Sequence, residues 1–131
     1  MSKIILIVDD NSANRLLFQR IVSVMGHQWV ESATGLDAVE LARLHRPDVV
    51  LIDIGMPEIS GLEVTRQLKA DPELYVIPVI AVTAYAADSD KAMILAAGCD
   101  DYVSKPIHIP QFIEVINRHL GIEAAQQFGT T

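Results

Sequence analysis

Lys3–Asp10, KIILIVDD, decides the fold: a short apolar run that breaks off at two adjacent aspartates. Three later segments repeat the pattern. DVVLID (48–53) ends on Asp53, VIPVIAVT (76–83) ends on Thr83, and DYVSKP (101–106) carries Lys105 just past its end. Short apolar runs bounded by turn signals read as buried strands. The carboxylates, the hydroxyl and the ammonium therefore stand at or just beyond the C-terminal ends of four strands.

Helical periodicity fills the gaps between these runs. Strand one is read over about Lys3–Val8 and helix one over about Ala13–Met25, with Leu16, Leu17, Ile21 and Val24 assigned to one face. Asn11 or Ser12 can cap that helix and Gly26 stops it. A short strand (about Gln28–Ser32), a helix (about Leu36–Leu44, ended by Pro47) and strand three (Val49–Ile52) follow. After the turn GMPEISG come helix three (about Leu62–Lys69), strand four (Val79–Val82) and helix four (about Asp88–Ala97, closing on Gly98). Strand five (Tyr102–Ser104) and helix five (near Pro110 to near Leu120) complete the chain. Pro110 suits a first helical turn, where its missing N–H costs nothing.

Five strand–helix units with short links imply an α/β, doubly wound parallel sheet covered on both faces. Right-handed crossovers put every strand C-terminus on one edge, which is where such folds bind ligands. The reading is one domain over residues 1–122 and a short flexible tail over 123–131.

Three carboxylates converging there repel one another unless a cation sits among them. An aspartate at a strand end is ordinarily a turn or helix cap, so the signal lies in the set Asp9, Asp10 and Asp53. An all-oxygen donor set favours magnesium, with manganese as a substitute. Zinc is disfavoured, because no histidine–cysteine set accompanies the acids. A phosphoryl group is the expected reason for the metal, and Lys105 can pair with a carboxylate or with an anion bound beside it. Pro106 biases Lys105 toward extended geometry, and a cis Lys105–Pro106 bond would fix its direction.

Composition narrows the classes. With 131 residues, half of them apolar, the chain can bury a real core. Seventeen acidic residues against 10 basic ones give a net charge of −7, which argues against nucleic acid as a partner. No apolar run approaches a membrane span, and the apolar start runs into aspartates rather than a cleavage site. The lone Cys99 offers neither a disulfide framework nor a resolving partner for redox work. A cytoplasmic protein is expected. Neither GxGxxG nor a Walker motif occurs. Trp29 is read as a packing residue, and the methionines lack cofactor-box spacing.

At this point the chain resembles the receiver domain of the two-component response regulators, the fold family of the chemotaxis regulator. The residues that carry the likeness are Asp9-Asp10, Asp53 followed by Met56-Pro57 and Gly61, Thr83-Ala84, and Tyr102-Val103-Ser104-Lys105-Pro106. It runs from about Lys3 to Leu120. The stretch VIAVTAYA is also similar to DivK-type cell-cycle regulators and to hybrid-kinase receivers. The resemblance implies a flavodoxin-like sheet in the order 2-1-3-4-5 with five helices.

The resemblance also implies roles. Asp53 matches the phosphoacceptor, charged from a histidine on a sensor kinase or phosphotransfer protein. Asp9 and Asp10 match the acidic pair that holds Mg2+, with Asp53 and the Gly55 carbonyl as further ligands. Thr83 and Lys105 match the groups that bond phosphoryl oxygens. Thr83 and Tyr102 match the switch pair, so that the helix 4–strand 5–helix 5 face is the output surface, with Ala87, Lys91, Ile107 and His108 on or near it. Gly55 and Tyr85 match positions that tune phosphoryl lifetime, and imply a persistent state. Helix five, QFIEVINRHL, carries Arg118 only near its end, unlike members that dimerise through this face. A monomer or weak dimer is expected.

After Leu120 only 11 residues remain, too few for a DNA-binding module, so signalling by protein contact or phosphoryl relay is expected. Leu16, Leu17, Arg20 and Ile107 are candidate kinase contacts. Two other functions compete. A magnesium-dependent phosphatase using Asp53 or Asp9 needs a water-activating residue and a cap, and only Glu58 lies in the loop. A docking domain that has lost its chemistry would lack an acid, the acceptor or the lysine, and all are present. Enzymatic turnover is not expected beyond self-catalysed, Mg-dependent phosphorylation and slow autodephosphorylation.

Overall fold

The computed structural model describes residues 2–84 and 87–122. Its elements alternate: β1 (Ile4–Val8), α1 (Ser12–Val24), β2 (Gln28–Ser32), α2 (Ala38–His45), β3 (Val49–Asp53), α3 (Gly61–Ala70), β4 (Val79–Thr83), α4 (Asp88–Ala96), β5 (Asp101–Ser104) and α5 (Ile109–Leu120). The strands form one parallel sheet in the order β2-β1-β3-β4-β5, as the resemblance implies. The central strands β3 and β4 are buried at every residue, which is why they read as unbroken apolar runs.

Period-2 alternation divides the sheet's side chains between two cores. Ile5, Ile7, Leu51, Ile80 and Val82 face α1 and α5. Leu6, Val8, Val50, Ile52, Val79 and Ala81 face α2, α3 and α4. On the first face Phe18 stacks on Phe112, ring centroids 5.3 Å apart, locking α1 to α5.

Helix ends follow local chemistry. The Asn11 side chain accepts from the Asn14 amide and Ser60 from the Glu63 amide, each satisfying an orphan N–H of a first turn. Gly98 and Gly121 follow α4 and α5 with φ of 107° and 71°, left-handed geometry that glycine adopts freely.

Three sequence readings are corrected. The row of α1 that meets the sheet is Phe18, Ile21, Val22 and Met25, not Leu16, Leu17, Ile21 and Val24. The stack of Phe18 on Phe112 sets this rotation, and Leu16 and Val24 are exposed. Helix α2 starts at Ala38 rather than Leu36, with Asp37 at its N-cap and Leu36 in solvent. Trp29 is 42% exposed, because β2 is an edge strand with only β1 beside it. Among the described residues no helix is long and apolar enough to cross a membrane. The tail expected over 123–131 lies outside the described residues, as does Tyr85.

Candidate functional site: a carboxylate cluster at the strand ends

Register assembles the site. Val8 pairs with Ile52, Asp53 with Val82, and Thr83 with Ser104. Each chemically active residue lies at or one position past these pairs. Asp9, Asp53, Thr83 and Lys105 therefore form a row across four adjacent strands at their C-terminal edge.

Asp9 is buried, and most of its polar atoms are committed. Its amide donates to the Ser32 carbonyl at 3.0 Å. Its Oδ1 accepts from the Asn11 amide at 2.9 Å, and its carbonyl oxygen accepts from Arg15 Nη1 at 2.8 Å. Its Oδ2 is buried and accepts no hydrogen bond among the described residues. Buried carboxylate oxygens in native proteins are normally satisfied. The Asp9 Oδ2 is thus an acceptor that the described residues leave to another donor or to a cation.

Asp9, Asp10 and Asp53 each offer a carboxylate oxygen, all within 4.8 Å of one another. Burial pushes the Asp9 carboxyl above its ordinary value; the Asn11 hydrogen bond pulls it down, Asp53 raises it, Lys105 lowers it and Asp10 raises it. Burial is the larger cause, and the neighbouring carboxylates add to it. Lys105 Nζ stands 3.6 Å from Asp53 Oδ1. The same oxygen accepts from the Gly55 amide at 3.1 Å. The donor set, three carboxylates and neighbouring carbonyls with neither thiolate nor imidazole, suits Mg2+.

The Lys105–Pro106 bond is cis, the alternative the sequence raised. Thr83 is buried at the end of β4. Tyr102 is half-buried on β5, with Lys91 Nζ of α4 over its ring at 5.6 Å from the centroid. His108 is the exposed residue preceding α5, and Ile107 packs against the α1–α5 core. Cys99 is buried, and burial raises its thiol.

Sequence reasoning missed Arg15 and the role of Gly61. Arg15 reaches back from α1 to the Asp9 carbonyl, and also lies 3.7 Å from Glu31 on β2. Arg15 closes a polar first turn, Ser12-Ala13-Asn14-Arg15, and no motif in the sequence marks it. Gly61 opens α3 against the acceptor strand: a Cβ there would fall 2.3 Å from the Asp53 carbonyl oxygen.

A parallel sheet in this order with an acid cluster at its edge defines a class of protein, and the comparisons agree. The chain belongs to the response regulator receiver domain family, whose model matches residues 5–117. It is 50% identical over 121 residues to the polar-differentiation response regulator DivK of Brucella anthropi, covering 92% of this chain and 98% of that protein. The DivK of Brucella ovis is equally similar over the same share of both chains. Among solved structures, the receiver domain of a sensor histidine kinase from Pseudomonas aeruginosa superposes with a TM-score of 0.85 at 30% identity, over 92% of this chain and 99% of that one. That structure holds a magnesium ion coordinated in its active-site cleft.

Proposed function

We propose that this domain accepts a phosphoryl group on Asp53, with Mg2+ held by Asp9, Asp10, Asp53 and the Gly55 carbonyl, and Mn2+ able to substitute. The observation that carries this reading is the convergence of a carboxylate oxygen from each of Asp9, Asp10 and Asp53 within 4.8 Å, with the Lys105 ammonium beside the acceptor. The donor is a phosphohistidine of a sensor histidine kinase or a phosphotransfer protein. A carboxylate oxygen of Asp53 attacks phosphorus, a P–O bond forms, the P–N bond breaks, and the imidazole leaves and takes up a proton. When bound, the metal supplies charge neutralisation for the equatorial phosphoryl oxygens. Lys105 and the Thr83 hydroxyl bind the same oxygens and fix their orientation.

The output is a two-state rearrangement. Thr83, drawn to the phosphoryl group, vacates space that the Tyr102 ring takes up, and the α4–β5–α5 face changes shape for a protein partner. The receiver domain spans residues 1–122, and the protein works in the cytoplasm as a monomer or weak dimer. With a net charge of −7 its partners are proteins, not nucleic acid or membrane.

The test is intact mass after incubation with acetyl phosphate and Mg2+, for wild type and Asp53→Asn, with and without chelator. A single Mg-dependent phosphoryl addition, absent in the variant, is expected. Phosphorylation of Asp53→Asn to the wild-type level would overturn the assignment. If acetyl phosphate fails with wild type, a phosphorylated kinase or phosphotransfer protein is the donor to test next, and failure there overturns the phosphoacceptor reading.

A further inference from the structure

We propose that Arg15 is a positioning residue for the metal-binding aspartates: its guanidinium anchors the Asp9 backbone and holds the β1–α1 turn against the mutual repulsion of the three carboxylates. This inference rests on the metal reading given above. Arg15 Nη1 donates to the Asp9 carbonyl at 2.8 Å, and its side chain is only 16% exposed. A guanidinium withdrawn from water is costly unless its hydrogen bonds are made, and charge-assisted bonds are the strong ones. Its second partner is Glu31, with Nε 3.7 Å from Oε2, and Gln19 of α1 also bonds Glu31. Arg15 is thus braced between α1 and β2 while it holds β1's last turn.

The geometry explains why a brace is useful. Asp9 is fastened through its amide to Ser32, through Oδ1 to Asn11 and through its carbonyl to Arg15. Only Oδ2 is left uncommitted. Loosening the carbonyl lets the turn relax outward, separating Asp9 from Asp53 and spoiling the preformed donor set. The contact Arg15 makes with Asp9 is to its main-chain carbonyl, so it acts through the backbone it holds. Partners that orient metal ligands in this way typically contribute about 10- to 100-fold to metal affinity.

Positioning and simple charge predict opposite signs. A cation whose only effect is its field opposes Mg2+ binding, so its removal tightens binding. A brace, when removed, weakens binding. The experiment is isothermal titration of the full chain with Mg2+ for wild type, Arg15→Met, Arg15→Lys and Glu31→Gln, with circular dichroism establishing that each is folded at the titration temperature. Arg15→Met is expected to raise Kd about tenfold. Arg15→Lys keeps one donor and should lose less, and Glu31→Gln should show a smaller change of the same sign. A Kd for Arg15→Met within twofold of wild type, or below it, overturns the proposal. If Arg15→Met does not fold, unchanged Kd values in both Arg15→Lys and Glu31→Gln overturn it instead. Absence of Mg2+ binding by wild type would overturn the metal reading itself, an outcome separate from the other two.

Discussion

Lys105 Nζ lies 3.6 Å from Asp53 Oδ1, close enough for an ion pair and beyond direct hydrogen-bond reach. The gap suits a cation that shares the carboxylate with a metal and then closes on an oxygen of a group attached to it. Lys105→Met should therefore slow phosphoryl uptake by about 100-fold, the usual scale for losing one preorganised charge contact. Mg2+ affinity should rise, because a competing positive charge has gone. A mass-spectrometric time course with acetyl phosphate and a Mg2+ titration check the two halves separately.

Asp9 makes the domain's stability depend on pH in an unusual direction. Its carboxyl is raised above the ordinary 3.8 by burial, with Asp53 and Asp10 adding to the rise. A raised carboxyl binds its proton more tightly in the folded state than in the unfolded one. Its contribution to stability is full below about pH 3.8 and is lost as pH rises through the folded value. At neutral pH, without metal, the ionised Asp9 is a liability. Asp9→Asn should raise the melting temperature of the chelated protein at pH 7, by about 4 °C for each kcal/mol of repulsion relieved. The gain should shrink as pH falls toward 3.8. Mg2+ should stabilise wild type at pH 7 and the variant far less, read by thermal unfolding with and without chelator.

Much of this site was legible before the fold was known. Apolar runs ending in DD, D, T and K fix both the strands and the edge on which their chemistry meets, since parallel strands share a C-terminal edge. Register then adds only a one-residue offset, with Val8 opposite Ile52 and Thr83 opposite Ser104. The rotation of α1 was not legible. Leu16, Leu17, Phe18, Ile21, Val22 and Val24 offer two overlapping apolar rows, and the choice is made by Phe112, almost a hundred residues away. Arg15 was missed for a related reason: its partners are a backbone carbonyl and a residue on β2, neither visible as a motif.

Gly61 follows from close approach rather than from backbone freedom. A Cβ there would stand 2.3 Å from the Asp53 carbonyl oxygen and 3.0 Å from Ile54 Cα, both main-chain atoms that cannot swing aside. Its amide also donates to the Ile54 carbonyl at 3.2 Å, tying the start of α3 to the loop after the acceptor. Gly61→Ala should lower stability by about 1–3 kcal/mol through overpacking. The displaced loop carries Asp53 and Gly55, so Mg2+ binding should weaken as well. Urea unfolding and metal titration of the same preparation test both, and a variant as stable as wild type would mean the loop yields freely.

Lys91 and Tyr102 bear on the switch. The ammonium sits 5.6 Å from the ring centroid, joining α4 to β5 across the surface that the proposed output uses. A cation over a partly exposed aromatic face is stabilising by about 0.5–1 kcal/mol. If the ring moves inward when Thr83 is drawn to the phosphoryl group, it leaves Lys91 behind, so this contact belongs to the resting state alone. Lys91→Met should then shift the resting ring equilibrium toward the inward form about two- to fivefold. Fluorotyrosine NMR, with the Tyr102 signal assigned through Tyr102→Phe, should show the unphosphorylated variant displaced toward the phosphorylated wild-type position. Linkage requires a matching effect on the other side: at equilibrium with its phosphodonor, a domain already biased toward the inward ring holds the phosphoryl group more favourably by up to the same factor. A displaced ring signal without a larger phosphorylated fraction at equilibrium would mean that Tyr102 moves independently of Asp53.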